Sequence, residues 1–264
     1  MSILVCPLCK TPLVREGGSY FCSGERRHCF DIAKSGYVTL TRALGTAGDD
    51  KEMVRARTEF LEKGYYRPFA DALARAIDGA HTVIDAGCGE GYYSNIFAEH
   101  SKAVYGFDLS KHACDKAAKR AKTANNGAFF GVSSVFELPI ADSSADAVVS
   151  LFAPIAEAEF SRVLKDDGIL IVGAAGKRHL YELKAAVYAD AYENEGRRDL
   201  PSGFSEIGHE SVVYTFVCDD VKSLFAMTPY AFKTSKEDMA KLDKIESLEI
   251  TADFDIFIYK KVVR

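Results

Sequence analysis

The sequence predicts an α/β protein built on a doubly wound, mostly parallel sheet, preceded by a small metal-binding module. Strand-like and helix-like segments alternate from residue 83 to residue 174, which is typical of a parallel sheet covered by helices. A glycine turn, Gly87-Cys88-Gly89-Glu90-Gly91, lies between the first of these strands and the helix that follows it. Four of the seven cysteines fall within the first 29 residues, which favours metal binding.

The metal-binding module is expected over residues 1–43. Its pattern, Cys6-x2-Cys9-x12-Cys22-x5-His28-Cys29, has the spacing of a zinc knuckle. Zinc takes four ligands in a closed tetrahedral site, so either His28 or Cys29 is a bystander, and thiolate preference alone favours Cys29. A segment this short cannot bury a core that folds unaided, so a structural zinc is expected to supply its folding free energy; a redox role for the cysteines is the alternative.

A linker is expected over residues 44–52, where glycine and small or polar residues cluster, and a second domain over residues 53–264. Helical apolar spacing runs from 53 to 77 with a break near Gly64, and Pro68 suits the first turn of a second helix. Further helices are expected at 92–100, 111–122 and 156–164, and strands at 83–86, 103–107, 128–132, 146–151 and 168–174. The segments 212–217 and 253–259 are expected to be adjacent strands at the end of the sheet.

The glycine turn predicts a nucleotide site, because its backbone N–H groups can approach a ligand at the start of a helix. A dinucleotide fingerprint requires a third small residue at position 92, where this chain has Tyr92, so that motif fails. Gly87, Gly89 and Gly91, with Asp85 two residues ahead, instead resemble motif I of the S-adenosylmethionine-dependent methyltransferases. A tight turn without a ligand is the alternative.

Two further strand ends are expected to converge on the same cofactor. Asp108 ends the second strand, 23 residues after Asp85, where an acid can accept hydrogen bonds from both ribose hydroxyls. The third strand runs into Ser133-Ser134, where these methyltransferases usually contact adenine, and we assign that contact to Ser134. The expected fold is therefore the Rossmann-like fold of the S-adenosylmethionine-dependent methyltransferases.

Five segments together resemble the bacterial 23S ribosomal-RNA guanine-N1 methyltransferases, the zinc-finger family that includes the tylosin-resistance methyltransferases. They are Cys6-Pro7-Leu8-Cys9, Phe30-Asp31-Ile32-Ala33-Lys34-Ser35-Gly36-Tyr37-Val38, Gly87-Cys88-Gly89-Glu90-Gly91-Tyr92-Tyr93, Arg178-His179-Leu180 and Met227-Thr228-Pro229. The resemblance runs from residue 6 to about residue 258, nearly the whole chain.

The resemblance implies a zinc ion held by Cys6, Cys9, Cys22 and His28, because the family has His-x-Phe-Asp where this chain has His28-Cys29-Phe30-Asp31. The longer loop before His28 and the extra Cys29 depart from the family pattern.

The resemblance also implies cofactor contacts at Tyr66, Gly89, Glu90 and His179. Without the family, Tyr66 could simply pack against the sheet and His179 could cap its helix. The implied reaction is methylation of guanine N1 in a 23S rRNA hairpin by a homodimer.

The turn after the fourth strand bears on the acceptor atom. Leu151-Phe152-Ala153-Pro154 stands where exocyclic-amine methyltransferases carry Asp or Asn, two prolines and an aromatic residue. Ala153 cannot accept a hydrogen bond from an amine, which favours a ring nitrogen as acceptor. Phe152 could stack on the base and Glu157 could approach it, or each could pack or face solvent. No residue is assigned as the catalytic base.

Charge is unevenly distributed along the chain. The net charge of -5 argues against a uniformly basic nucleic-acid binder, yet residues 1–45 carry +3 and the remainder carries -8. Arg15, Arg26, Arg27, Lys34 and Arg42 could contact RNA phosphates or could form a solvated face.

The sequence predicts no membrane partner. The longest nearly apolar run, residues 168–176, is about half the roughly 20 residues that a bilayer requires, and the N-terminus lacks a signal-peptide pattern. A cytoplasmic enzyme is expected. The rival hypotheses are a small-molecule methyltransferase in which the zinc module is only a lid, and a non-catalytic RNA-binding protein that retains the fold.

Overall fold

The computed structural model describes residues 3–41, 48–196 and 200–262. Residues 1, 2, 42 and 43 of the predicted module and residues 44–47 of the predicted linker lie outside the described residues. The chain begins with a three-stranded antiparallel sheet of β1 (Leu13–Glu16), β2 (Ser19–Cys22) and β3 (Cys29–Asp31). This small sheet carries the cysteine-rich segment.

An eight-stranded sheet forms the centre of the molecule. The strands of this sheet alternate with helices along the chain. After β3 come, in chain order, β4 (Val38–Thr39), α1 (Lys51–Glu62), α2 (Arg67–Ala76), β5 (Thr82–Ala86), α3 (Tyr92–His100), β6 (Ala103–Asp108), α4 (Lys111–Ala124), β7 (Phe129–Val132) and β8 (Ala145–Leu151). The chain continues with α5 (Glu157–Val163), β9 (Leu164–Ala175), α6 (Tyr181–Val187), β10 (Phe204–Cys218), α7 (Val221–Ala226), a 3-10 helix (Pro229–Phe232), α8 (Lys236–Ala240), a second 3-10 helix (Lys241–Lys244) and β11 (Leu248–Lys261).

The strand order is β10-β11-β9-β8-β5-β6-β7-β4. All pairs from β9 to β4 are parallel, whereas β10 and β11 pair with each other, and β11 with β9, in antiparallel register. The predicted doubly wound α/β fold is confirmed, and the segments 212–217 and 253–259 do lie on neighbouring strands at one end of the sheet. Sequence periodicity did not indicate α6, α7 or α8, which are only five to seven residues long.

The other end of the sheet is built from the N-terminal module. Although β4 lies within the range of the predicted module, it pairs in parallel with β7, Val38 opposite Gly131. The Val5 N–H also donates a 2.9 Å hydrogen bond to the Pro139 carbonyl. Leu4, Val38 and Leu40 are buried, so main-chain bonds and apolar packing fix the module against this edge.

The described part of the predicted linker is ordered by the domain that follows. Lys51 and Glu52, expected in the linker, form the first turn of α1 because the Asp50 carboxylate accepts a 2.8 Å hydrogen bond from the Met53 N–H and caps the helix. The Ser110 hydroxyl donates a 2.7 Å hydrogen bond to the Asp49 carbonyl. This segment is therefore held beside the start of α4.

Two apolar layers cover the faces of the large sheet. One contains Phe60, Phe69 and Phe254, and the rings of Phe69 and Phe254 stack with centroids 4.1 Å apart. The other contains Phe107 and Phe160. Among the described residues no helix has the length and apolar character needed to cross a membrane.

The junction of α3 and α4 gives a test of this packing. Gly91 begins α3 with φ +77°, and a Cβ there would lie 2.7 Å from the Ala117 Cβ. Gly64 has a similar φ of +80° but open space around it. We expect Gly64→Ala to cost about 1–2 kcal/mol of unfolding free energy from backbone strain, and Gly91→Ala to cost about 1–3 kcal/mol more from overpacking. Urea unfolding measures both, and equal losses would contradict the steric account.

Candidate functional site

A cavity of about 610 Å³ lies at the carboxyl ends of β5, β6, β7 and β8. Because β5 pairs with β6 on one side and β8 on the other, the strand order reverses here, as at the ligand crevice of open α/β sheets. Eight of the nine predicted cofactor residues line the cavity: Tyr66, Asp85, Gly87, Gly89, Glu90, Asp108, Ser134 and His179. The ninth, Gly91, does not line it and instead permits α3 to pack against α4.

The turn between β5 and α3 requires glycine. The backbone is left-handed at all three positions, with φ +88° at Gly87, +52° at Gly89 and +77° at Gly91. A Cβ on Gly87 would lie 2.7 Å from the Cβ of Ala153, so the turn passes directly against the end of β8. The Gly87 N–H donates a 2.8 Å hydrogen bond to the Phe107 carbonyl, which ties the turn to β6.

The Asp108 carboxylate is fixed by the backbone. Its Oδ2 accepts from the Gly89 N–H at 3.0 Å and its Oδ1 from the Ser110 N–H at 2.7 Å. Burial raises the pKa of Asp108, while these two hydrogen bonds oppose the rise. A carboxylate can accept about four hydrogen bonds. Two acceptor positions therefore remain for hydroxyl groups such as those of a ribose.

Two carboxyl oxygens in the cavity are buried and, among the described residues, have no hydrogen-bond partner: Asp85 Oδ1 and Glu90 Oε1. Burial raises the pKa of Asp85 to about 7, although a hydrogen bond from Ser94 lowers it. Burial also raises the pKa of Glu90, against the attraction of Arg57. Buried acids of this kind are stabilised by a cation. S-adenosylmethionine carries a sulfonium and an ammonium group, so the residues present fit this cofactor.

Tyr66 and His179 form a buried pair on the cavity wall. The Asp253 N–H donates to His179 Nδ1 at 3.3 Å, which places the hydrogen of a neutral imidazole on Nε2, 3.4 Å from the Tyr66 hydroxyl. Burial lowers the pKa of His179 to about 3, so the ring is neutral at physiological pH. Leu180, not His179, occupies the N-cap of α6. His179 therefore orients the Tyr66 hydroxyl.

The loops after β7 and β8 form the mouth of the cavity. The Phe136 N–H donates a 3.2 Å hydrogen bond to the Ser134 hydroxyl. Phe136 and Phe152 both line the mouth and are 60% and 54% exposed, and Phe152 has a positive φ of +54°. A strained, exposed aromatic residue at a cavity mouth is a frequent mark of a binding site.

Several cavity residues were not indicated by sequence patterns. Arg57 and Asp49 form an ion pair beside Gly89, and Arg57 lies in α1 without any local motif. The 3-10 helix after α7 contributes Tyr230, and Thr228 lies at its N-cap. Met227-Thr228-Pro229 is one of the segments that carry the family resemblance, which is the signal that could have identified it. Nothing local in Arg57 or Asp49 gave a comparable signal.

The N-terminal module brings together four groups that could hold one metal ion. The ligand atoms of Cys6, Cys9, Cys22 and His28 all lie within 4.8 Å of one another. Cys9 Sγ is 3.6 Å from Cys22 Sγ, and His28 Nδ1 is 3.5 Å from the sulfurs of Cys6 and Cys22. Tetrahedral zinc with Zn–S near 2.3 Å and Zn–N near 2.1 Å separates its ligands by about 3.6–3.8 Å. The group therefore fits structural zinc.

Backbone hydrogen bonds support the same arrangement. The Leu8 N–H donates to Cys6 Sγ at 3.4 Å and the His28 N–H to Cys22 Sγ at 3.0 Å. Cys29 is exposed, and its Sγ faces Asp31 Oδ1 at 3.8 Å rather than the other cysteines. His28 lies just before β3 and its ring reaches the sulfurs of Cys6 and Cys22, whereas Cys29, the first residue of β3, faces away from them.

Two family models match the chain. A zinc-ribbon model described as "RlmA, N-terminal" matches residues 4–41, and a model described as "Methyltransferase domain" matches residues 84–172. The four-residue metal group lies in the first match and the glycine turn in the second.

Two named proteins align over most of the chain. YxjB of Bacillus subtilis (strain 168), named provisionally as a 23S rRNA (guanine-N(1)-)-methyltransferase, is 32% identical over 98% of this chain and 98% of its own. The 23S rRNA (guanine(748)-N(1))-methyltransferase of Streptomyces fradiae is 31% identical over 90% of this chain and 89% of its own. Among solved structures, YcgJ of Bacillus subtilis shares the fold with a TM-score of 0.51 at 15% identity, covering 74% of this chain and 98% of that chain.

The metal group makes a direct prediction. We expect Cys22→Ala and His28→Ala to lower the zinc content well below one ion per chain and to speed hydrogen exchange over residues 3–34, because metal binding supplies the module's folding free energy. Cys29→Ala is the matched control and should keep its zinc, since Cys29 faces away. Elemental analysis and hydrogen exchange measure both effects. Zinc lost in Cys29→Ala but kept in His28→Ala would reverse the assignment.

The raised pKa of Asp85 predicts that cofactor binding depends on pH. Its carboxyl is neutral below a pKa of about 7 and charged above it, and only the charged form attracts a cation. Affinity for S-adenosylmethionine should therefore fall as pH drops through 7, by at most about 10-fold per pH unit. Asp85→Asn should bind S-adenosylmethionine weakly at pH 8, and its affinity should no longer change with pH. The control Asp166→Asn, at an exposed position, should keep both the affinity and its pH dependence. Calorimetric titration from pH 6 to 8 tests this, and an unchanged slope in Asp85→Asn would refute it.

Proposed function

The chain belongs to the family of S-adenosylmethionine-dependent 23S rRNA (guanine-N1)-methyltransferases, and on that premise we propose that it methylates N1 of a guanine in a 23S rRNA hairpin. The observation that carries the proposal is one sheet holding both a cavity that fits the cofactor and, at its β4 edge, a zinc ribbon. A methyltransferase acting on small molecules has no evident need for the ribbon.

The cavity favours a ring nitrogen over an exocyclic amine. The end of β8 provides Ala153 where an amine acceptor would require a carboxylate or amide, and its methyl group lies against the glycine turn. Glu157 is half-buried in the first turn of α5 and is not among the residues lining the cavity. This leaves the mouth between Phe136 and Phe152 as the place where the base enters.

The guanine must leave its stack to reach the cavity. Phe136 and Phe152 offer exposed ring faces at the mouth, and stacking on an aromatic ring offsets part of the cost of extruding a base. Bound S-adenosylmethionine supplies an activated methyl group. The protein's main contribution is to hold the base in line with that group, since positioning alone can lower such a barrier substantially.

The Tyr66–His179 pair contributes by orientation. With its pKa lowered to about 3, His179 is too weak a base to remove the N1 proton of guanine. Its Nε2–H is directed at the Tyr66 oxygen, which leaves the Tyr66 hydroxyl hydrogen free to donate into the cavity. Tyr66 is thereby a fixed donor for an anionic group of the cofactor or the base.

The homodimer implied by the family and a cytoplasmic location remain part of the proposal. Sedimentation velocity of the purified chain measures the first. The second follows from a substrate that is ribosomal RNA.

The test is methyl transfer to unmodified 23S rRNA. Incubation with the RNA and methyl-labelled S-adenosylmethionine should place one label on a guanine, which mass spectrometry of nuclease fragments locates to N1. Asp108→Asn should raise the KM for S-adenosylmethionine by about 10-fold or more, because a hydrogen bond to a charged group contributes roughly 1.5–3 kcal/mol. Label only on another base position, or transfer only to small molecules, would refute the proposal.

A further inference from the structure

A second cavity of about 740 Å³ lies between the N-terminal module and the segment formed by β6, α4 and β7. It shares no lining residue with the cofactor cavity. Its walls carry four cationic side chains and neither aspartate nor glutamate: Arg15 and Lys34 from the module, and Lys102 and Lys122 from the methyltransferase domain. In a chain of net charge -5, such a cleft is an unusual local concentration of positive charge.

Within the described part of the chain these four cations have no acidic partner, although Arg15 Nε donates a 3.4 Å hydrogen bond to the Gly17 carbonyl. All four are exposed, and none forms an ion pair with an acid among the residues that the structure describes. Arg27 behaves differently, since it pairs with Glu16 at 2.6 Å and lies over the Phe21 ring. The candidate RNA contacts of the module are thus divided: Arg27 is engaged internally, whereas two others face the cleft.

Aromatic rings line the same cleft. Tyr20 of the module meets Phe129 of β7 edge to face, with centroids 5.9 Å apart, and Tyr105 tilts against Phe129 at 5.8 Å. Contacts between rings from both sides fix the width of the cleft. A rigid concave surface that presents cations and ring faces suits a ribose-phosphate backbone.

The position of the cleft relates it to the cofactor. Ala103 at the start of β6 lines the cleft, and Asp108 at the end of β6 lines the cofactor cavity. Five residue steps at about 3.3 Å separate the two sites by roughly 17 Å along the strand. This is less than one turn of a nucleic-acid duplex, about 34 Å for DNA, so one hairpin is long enough to reach both.

We propose that this cleft binds the phosphate backbone of the RNA substrate, with Lys102 and Lys122 of the methyltransferase domain acting together with Arg15 and Lys34 of the module. The proposal rests on the proposed function. It assigns the RNA contact to a composite surface of both domains rather than to the module alone. The contact neutralises phosphates and carries no sequence information, so it positions the hairpin while other residues select the base.

The experiment measures the affinity of the zinc-loaded protein for an unmodified 23S rRNA hairpin fragment across a range of salt concentrations. Each lost phosphate contact should lower the slope of log affinity against log salt by about 0.7–0.9 and weaken binding about 4- to 6-fold at 0.15 M salt. Lys102→Ala/Lys122→Ala and, separately, Arg15→Ala/Lys34→Ala should each lower the slope by about 1.5 and weaken binding roughly 20-fold. The control Lys244→Ala/Lys260→Ala removes two exposed lysines elsewhere and should change neither.

Two readouts separate the possible failures. The affinity for S-adenosylmethionine should be unchanged in every variant, since the cleft does not border the cofactor cavity. If the wild type methylates 23S rRNA and both cleft pairs keep its salt slope, the cleft proposal is overturned while the proposed function stands. If the wild type transfers no methyl group to 23S rRNA, the proposed function itself fails. If only Arg15→Ala/Lys34→Ala weakens RNA binding, the proposal that both domains form the RNA contact is overturned.

Discussion

The left-handed turn from β5 into α3 is the constraint on which the rest of the site depends. It is held between two strand ends, because the Gly87 N–H bonds to the Phe107 carbonyl while the position of a Gly87 Cβ is blocked by Ala153. The same turn donates the Gly89 N–H to Asp108 and buries Glu90. A side chain at Gly87 would separate β5 from β8 and displace the protein carboxylates that line the cofactor cavity. The fold and cofactor binding therefore depend on the same backbone geometry.

The cost of this arrangement is electrostatic. Asp85, Glu90 and Asp108 are all removed from water, and burial raises the pKa of each. Arg57 offers a cation to this group but is also paired with Asp49. A site with more buried acid than base is strained without its ligand and relaxed by a cationic one.

The metal-binding module influences more than its own folding. The strand β4 extends the large sheet, and the Val5 N–H bonds to Pro139 in the loop after β7, so main-chain hydrogen bonds attach the ribbon at both ends. The zinc group then fixes β1, β2 and β3 relative to that anchor. Tyr20 of β2 meets Phe129 of β7 across the boundary between the module and the sheet.

The sequence by itself determined the fold class, the cofactor and the zinc spacing, because each is written in local patterns: strand and helix periodicity, the Gly87-x-Gly89-x-Gly91 turn, and Cys6-x2-Cys9. The residues alone left His28 and Cys29 unresolved, since both follow Cys22 at a spacing that suits a zinc ligand. The tertiary structure grouped His28, rather than Cys29, with the three cysteines, brought Arg57 from α1 to the glycine turn, and gave Gly91 a packing role. It also placed Lys34 and Lys122 on the walls of one cleft. These residues are distant in the chain, and only the strand order and packing of the folded protein make them neighbours.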